Sequence, residues 1–210
     1  MWQMEVIMYN IVLASGSPRR KEILEQVGVA FCICPSEKEE IITKSKPEEI
    51  VKELAEMKAL EVAAKIEGEA IIIGADTMVA LDGQVLGKPG SETEAKAMLQ
   101  MLQGNRHQVY TGVSVVIKHS DTSENKSTEI PDKVLSFVEM TKVWVYPMKR
   151  VQIDNYIATG EPFDKAGGYG IQGKFAVHIE KIEGDYLNIV GFPIAKLHAL
   201  LLEEGIDILS

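Results

Sequence analysis

Apolar residues fall in short runs of two kinds along this chain, and their spacing predicts alternating strands and helices. The run from Ile7 to Ala14 reads as a first strand, and a shorter strand is expected near Ala30 to Pro35. The continuous stretch Ile71 to Leu81 reads as a strand buried on both faces, because almost nothing in it alternates with solvent-facing polar residues. Asp82-Gly83 turns that strand back towards Leu86. Val109 to Lys118 and Val134 to Tyr146 read as two long strands, joined by the polar stretch His119 to Lys133 as a hairpin arm or loop. Helical spacing and end signals predict helices over Pro18 to Val27, Pro47 to Ile66, Ser91 to Gln103 and Lys149 to Ala158, with a closing helix from Pro193. Gly104-Asn105 suits a helix C-cap, and Phe175 to Ile182 reads as a last strand. Hairpins mixed with crossovers predict an α/β fold with a mixed sheet. There is no internal repeat.

Composition changes this picture in a few places. With 210 residues, 46% of them hydrophobic, the chain can bury a sizeable core, and a single domain over 1–210 is expected. No apolar run is long enough to span a bilayer. The first residues carry Glu5 and no basic leader, so a cytoplasmic protein with no membrane partner is expected. Cys32 and Cys34 complete no zinc set and read as two small buried hydrophobes on one face of a strand. A net charge of −9 argues against binding a nucleic acid polymer through a broad basic face. A small polyanion needs only a local cluster of positive charge.

Candidate chemistry begins with Asp76, a lone carboxylate inside the Ile71–Leu81 run. Burying it ionised costs several kcal/mol or more unless cations, a metal or donors compensate. Lys58 is anomalous in the same way: it falls near the centre of the apolar arc of its helix, so it must snorkel out or enter a polar cavity. In Ser15-Gly16-Ser17-Pro18-Arg19-Arg20, Ser17 suits an N-cap and Pro18 the first helical position. Free amides there, with the Arg19 and Arg20 guanidinium forks, suit a phosphate. Lys88 follows the Asp82-Gly83 hairpin, whose register brings it back near Asp76. Gly168-x-Gly170-x-x-Gly173 has the dinucleotide-binding spacing but the wrong context, a helix before it and a strand after. It reads instead as a loop whose backbone approaches a ligand, with Gln172 able to read an amide-bearing base edge. One of Glu37, Glu39 and Glu40 could join Asp76 on a divalent metal. The four histidines show no metal-ligand spacing and receive no catalytic role; His119 is expected in the exposed arm.

Five stretches taken in order resemble the Maf family of nucleoside triphosphate pyrophosphatases. They are Leu13 to Arg20, Gly74 to Thr77, Gly87 to Pro89, Asp164 to Gly173, and Gly184 to Pro193. The resemblance implies an elongated mixed sheet flanked by helices with a central cleft, a homodimer, and hydrolysis of a nucleoside triphosphate to monophosphate and pyrophosphate with Mg²⁺ or Mn²⁺. It implies functional positions at Ser17, Arg20, Glu40, Lys58, Asp76, Lys88 and Gln172, with Arg19 and Thr77 beside them. Asp76 is then general base or metal ligand, Glu40 assists the metal, and Lys58 acts with them in catalysis. Arg20, Lys58 and Lys88 neutralise the triphosphate, and Thr77 and Gln172 contribute to base selection. Thr77 and the Gly-Tyr-Gly-Ile-Gln-Gly run resemble the branch acting on dTTP and UTP rather than the one preferring 7-methyl-GTP. A nucleotide-binding cell-division regulator with little turnover is the alternative from another class. Lys174-Phe175 stands where the family more often has small residues, and is expected at the rim near the base.

Overall fold

The computed structural model describes residues 10–119 and 132–209. Its strands are β1 (Asn10–Leu13), β2 (Cys32–Ile33), β3 (Ala70–Leu81), β4 (Gln84–Leu86), β5 (Arg106–Lys118), β6 (Lys133–Val145) and β7 (Ile179–Glu183). Among the described residues they form one seven-stranded mixed sheet in the order β2-β1-β3-β5-β6-β7, with β4 also paired to β3. The helices are α1 (Pro18–Gln26), α2 (Pro47–Ala63), α3 (Glu92–Leu102), α4 (Arg150–Ile157), α5 (Tyr186–Val190) and α6 (Ile194–Glu203). The expected α/β fold with a mixed sheet flanked by helices is the one observed.

The strand β3 organises everything else. One edge pairs with β5 without interruption from Ala70 to Ala80. The other edge changes partner: Ala70 to Ile73 pair with β1 in parallel, and Val79 to Leu81 pair with β4 antiparallel. Between them, Gly74 to Met78 have no strand on that side among the described residues, and Asp76 sits in the middle of the gap. The apolar cores divide at the same place. One gathers Leu13, Ile73, Val113, Phe192 and Leu197, and another gathers Val79, Leu99, Val145, Tyr169 and Phe175.

Side chains alternate across the sheet. Ile72, Gly74 and Asp76 therefore face α2, while Ile73, Ala75 and Thr77 face the side of α1, α5 and α6. The helix α2 lies directly on β3 and β5 because two glycines leave room for its backbone. A Cβ on Gly74 would stand 2.3 Å from the Ala55 carbonyl oxygen, and one on Gly112 2.3 Å from that of Val51. Gly112 is the cross-strand partner of Asp76. The close approach is thus made where the carboxylate sits.

Four expectations are corrected. The strand from Phe175 begins only at Ile179; Lys174–His178 is a short 3₁₀ turn with the Ala176 amide bonded to the Gly173 carbonyl. Phe175 is fully buried against Tyr156 and Tyr169 rather than at a ligand rim. Cys32 is exposed, because β2 is a two-residue edge strand whose only strand partner among the described residues is β1. His119, the first residue past β5, is half-buried rather than exposed. Ile7 to Tyr9 of the first strand and most of the 119–133 arm lie outside the described residues.

Candidate active site

The gap in β3 opens into a cleft of about 850 Å³, within the usual range for a small-molecule site. Ser17, Arg19, Arg20, Glu40, Lys58, Asp76, Thr77, Lys88 and Gln172 all line it, and of the acidic run Glu37, Glu39 and Glu40 only Glu40 does. They come from separate elements, and the backbone explains how each arrives.

Lys58 crosses from α2 to the gap. Its Nζ lies 2.7 Å from Asp76 Oδ1 and 2.7 Å from Glu40 Oε1. The side chains of Lys58 and Asp76 are only 15% and 13% exposed, so the pair is largely removed from water, while Glu40 approaches from the exposed side. This accounts for a lysine in the apolar arc of α2. Burial pushes the Asp76 carboxyl above its ordinary range, and the Lys58 and Arg20 charges oppose that rise without cancelling it. Asp76 Oδ2 takes no hydrogen bond from the described residues, so one oxygen of the carboxylate remains open to the cleft.

On the opposite face of β3, α1 begins where β1 ends. Pro18 holds its first position and Ser17 its N-cap, but the Ser17 hydroxyl caps no helix amide and stays available. Arg20 turns inward and is 9% exposed. Burial lowers its pKa, and the Asp76 charge opposes that fall. Arg19 reaches across the cleft mouth instead, its Nη1 2.9 Å from Asp164 Oδ2. Lys88 stands exposed at the end of β4 and makes no ion pair with the described residues. The Gly167 amide donates to the Gly87 carbonyl at 2.9 Å, which ties the glycine-rich segment to the Lys88 arm and carries Gln172 to the same cleft.

The comparisons with known proteins bear on the whole chain. The family model described as Maf-like protein matches residues 10–204. The chain belongs to the Maf-like family. This Maf-like chain is 52% identical over 203 residues to a protein of Lachnoclostridium phytofermentans named dTTP/UTP pyrophosphatase, covering 97% of the chain and 99% of the relative. It is 49% identical to a protein of the same name from Carboxydothermus hydrogenoformans, covering 93% of the chain and 99% of the relative. The solved structure of the Staphylococcus aureus Ham1 protein is a more distant likeness: 17% identity, TM-score 0.46, covering 93% of this chain and 99% of that one.

Electrostatically, the Maf-like cleft is set apart from the rest of its chain. Five cationic side chains line it, Arg19, Arg20, Lys58, Lys88 and Lys165, against four carboxylates, while the chain as a whole carries −9. This is the local positive cluster that a small polyanion needs. Asp164 and Tyr169 also line the cleft; both fall in the Asp164 to Gly173 stretch, but neither was given a role of its own in the sequence. Asp164 lies inside the glycine-dense segment, but its ion pair with Arg19 spans 145 positions. Lys165 and Arg19 hydrogen-bond the Asp164 carboxylate and hold it below the ordinary carboxylate range, although burial acts the other way. Tyr169 lines the cleft with its hydroxyl 2.7 Å from Nε2 of the buried His107. Among the described residues, no helix is long and apolar enough to cross a membrane.

Proposed function

We propose that the protein is a nucleoside triphosphate pyrophosphatase that hydrolyses dTTP and UTP to the monophosphate and pyrophosphate. The observation that carries this reading is the convergence of Arg20, Lys58 and Lys88 with Asp76 at the gap in β3, in a chain about half identical to relatives of that name. Arg20, Lys58 and Lys88 neutralise the triphosphate, and Ser17 with the first amides of α1 supplies fixed donors. Water attacks the α-phosphorus in line with the departing pyrophosphate. Asp76 Oδ2 orients that water and takes its proton; a carboxylate whose pKa burial has raised is the better base for the task. Thr77 and Gln172 contribute to recognition of the base.

Asp76 and Glu40 fit a divalent cation. Both are hard oxygen donors and both converge on the Lys58 ammonium, a point already shaped for positive charge. Among the described residues, no group of three or more His, Cys, Asp or Glu side chains could hold a metal ion. Two carboxylates with substrate phosphates and water are a donor set that suits Mg²⁺ or Mn²⁺. When bound, such an ion supplies further charge neutralisation and acidifies a coordinated water. The reading includes a cytoplasmic homodimer acting on free nucleotide.

A pyrophosphate-release screen across canonical and modified nucleoside triphosphates tests it. With Mg²⁺ or Mn²⁺, dTTP and UTP are expected to be turned over fastest, and chelation by EDTA to abolish release. Preference for 7-methyl-GTP contradicts the substrate assignment, and nucleotide binding without release contradicts the activity.

A further inference from the structure

Arg20 is held differently from every other cation of the cleft. Its Nε donates to the Gly191 carbonyl at 2.9 Å, its Nη1 to Ser15 Oγ at 2.8 Å and its Nη2 to Thr77 Oγ1 at 3.2 Å. All three acceptors are neutral. They fix the plane of the guanidinium without cancelling its charge, whereas Arg19 and Lys58 are paired with carboxylates. A guanidinium has five N–H groups, so among the described residues one on each Nη stays uncommitted.

The support continues beneath the cleft with a fixed direction. Thr111 Oγ1 donates to the Asn188 carbonyl at 3.0 Å. A hydroxyl carries one proton, so the 2.9 Å contact between the Thr77 and Thr111 hydroxyls must run from Thr77 to Thr111. The Thr77 proton is then committed inward, and a lone pair of its oxygen is left to receive Arg20. Thr111 and Asn188 are fully buried. Asn188 is anchored in turn: its Nδ2 donates to the Val109 carbonyl at 3.0 Å and to Thr141 Oγ1 at 2.9 Å. The short helix α5 therefore bears on Arg20 twice, through the Asn188 carbonyl by way of two threonines and through Gly191 at its C-cap.

We infer that Thr111 and Asn188 are positioning residues that aim the uncommitted N–H groups of Arg20 at the phosphates of the substrate, through a one-way hydroxyl relay. This rests on the proposed role of Arg20 as a phosphate ligand. The relay predicts that Thr111 matters to substrate only through the guanidinium fork.

A mutant cycle on the full-length chain tests it. Affinity for the non-hydrolysable α,β-methylene analogue of dTTP is measured by calorimetry for the wild-type chain, Thr111→Val, Arg20→Lys and the double variant. Thr111→Val is expected to weaken binding about tenfold alone and less than about twofold in the Arg20→Lys background. Thr111→Ser is expected to bind within about threefold of wild type. Thr111→Ala replaces Thr111→Val if the valine chain does not fold. Equal losses in both backgrounds overturn the relay, as does no loss in the first or no binding by the wild-type chain. Pyrophosphate release from dTTP is recorded in parallel, so a chain that binds and couples but releases none contradicts the reaction and not the relay.

Discussion

At the scale of single residues, Asp76 carries two opposed demands. Its position opposite Gly112 removes it from water, and Lys58 keeps it usable as a charged group. Burial outweighs the lysine, so the folded protein favours the protonated acid more than the unfolded chain does. The ionised form therefore lowers stability at neutral and alkaline pH. That cost fades as pH falls through the raised folded pKa, and is gone near the ordinary carboxylate value of about 3.8. Asp76→Asn keeps the shape and removes the charge, and Lys58 retains Glu40 as its partner. Pyrophosphate release from dTTP is expected to fall by about 10²- to 10⁴-fold in this variant. Its urea midpoint at about pH 8 is expected to equal or exceed wild type, with the difference shrinking towards acid pH. Wild-type turnover in Asp76→Asn contradicts the assignment of the base.

At the scale of elements, the site depends on how closely α2 approaches the sheet. Gly74 and Gly112 permit that approach, and Lys58 lies one turn beyond Leu54 and Ala55 on the same helix. Gly112→Ala places a methyl against the Val51 carbonyl, so helix and sheet must separate. The expected cost is about 1–3 kcal/mol in urea unfolding, with loss of pyrophosphate release because Lys58 is carried away from Asp76. Retained stability and activity contradict the positioning of Lys58 by this contact. The sequence made parts of this legible and hid others, for physical reasons. A charge in an apolar run and a lysine in an apolar arc are local signals, and both residues face the cleft as expected. The gap in the edge of β3 depends on which strands pair, and local spacing carries no such information. Thr111 and Asn188 are ordinary residues of a strand and a short helix; only the fold brings their hydrogen bonds under Arg20. Phe175 misled because an aromatic followed at alternate positions by Val177 and Ile179 has strand character, while in the fold it packs on Tyr156 and Tyr169 from within a turn.

At the scale of the whole molecule, two cores meet at the cleft, and His107 links the second of them to its wall. The ring is fully buried, with Nε2 bonded to the Tyr169 hydroxyl and Nδ1 without a hydrogen-bond partner among the described residues. Burial lowers its pKa to about 4, so it folds as the neutral imidazole. The unfolded chain takes up the proton first as pH falls below about 6.5, and stability is lost from there down to about pH 4. Urea unfolding is expected to give about 2 kcal/mol less stability at about pH 5 than at about pH 7.5 from this group. His107→Phe removes that part of the slope, and an unchanged slope contradicts the attribution. The chemistry of the whole cleft turns on the atom that water attacks. Hydrolysis of dTTP with Mg²⁺ in H₂¹⁸O, with both products weighed by mass spectrometry, decides it most directly. Attack on the α-phosphorus beside Asp76 predicts one ¹⁸O in dTMP and none in pyrophosphate. Label in pyrophosphate, or release of orthophosphate with dTDP, contradicts it.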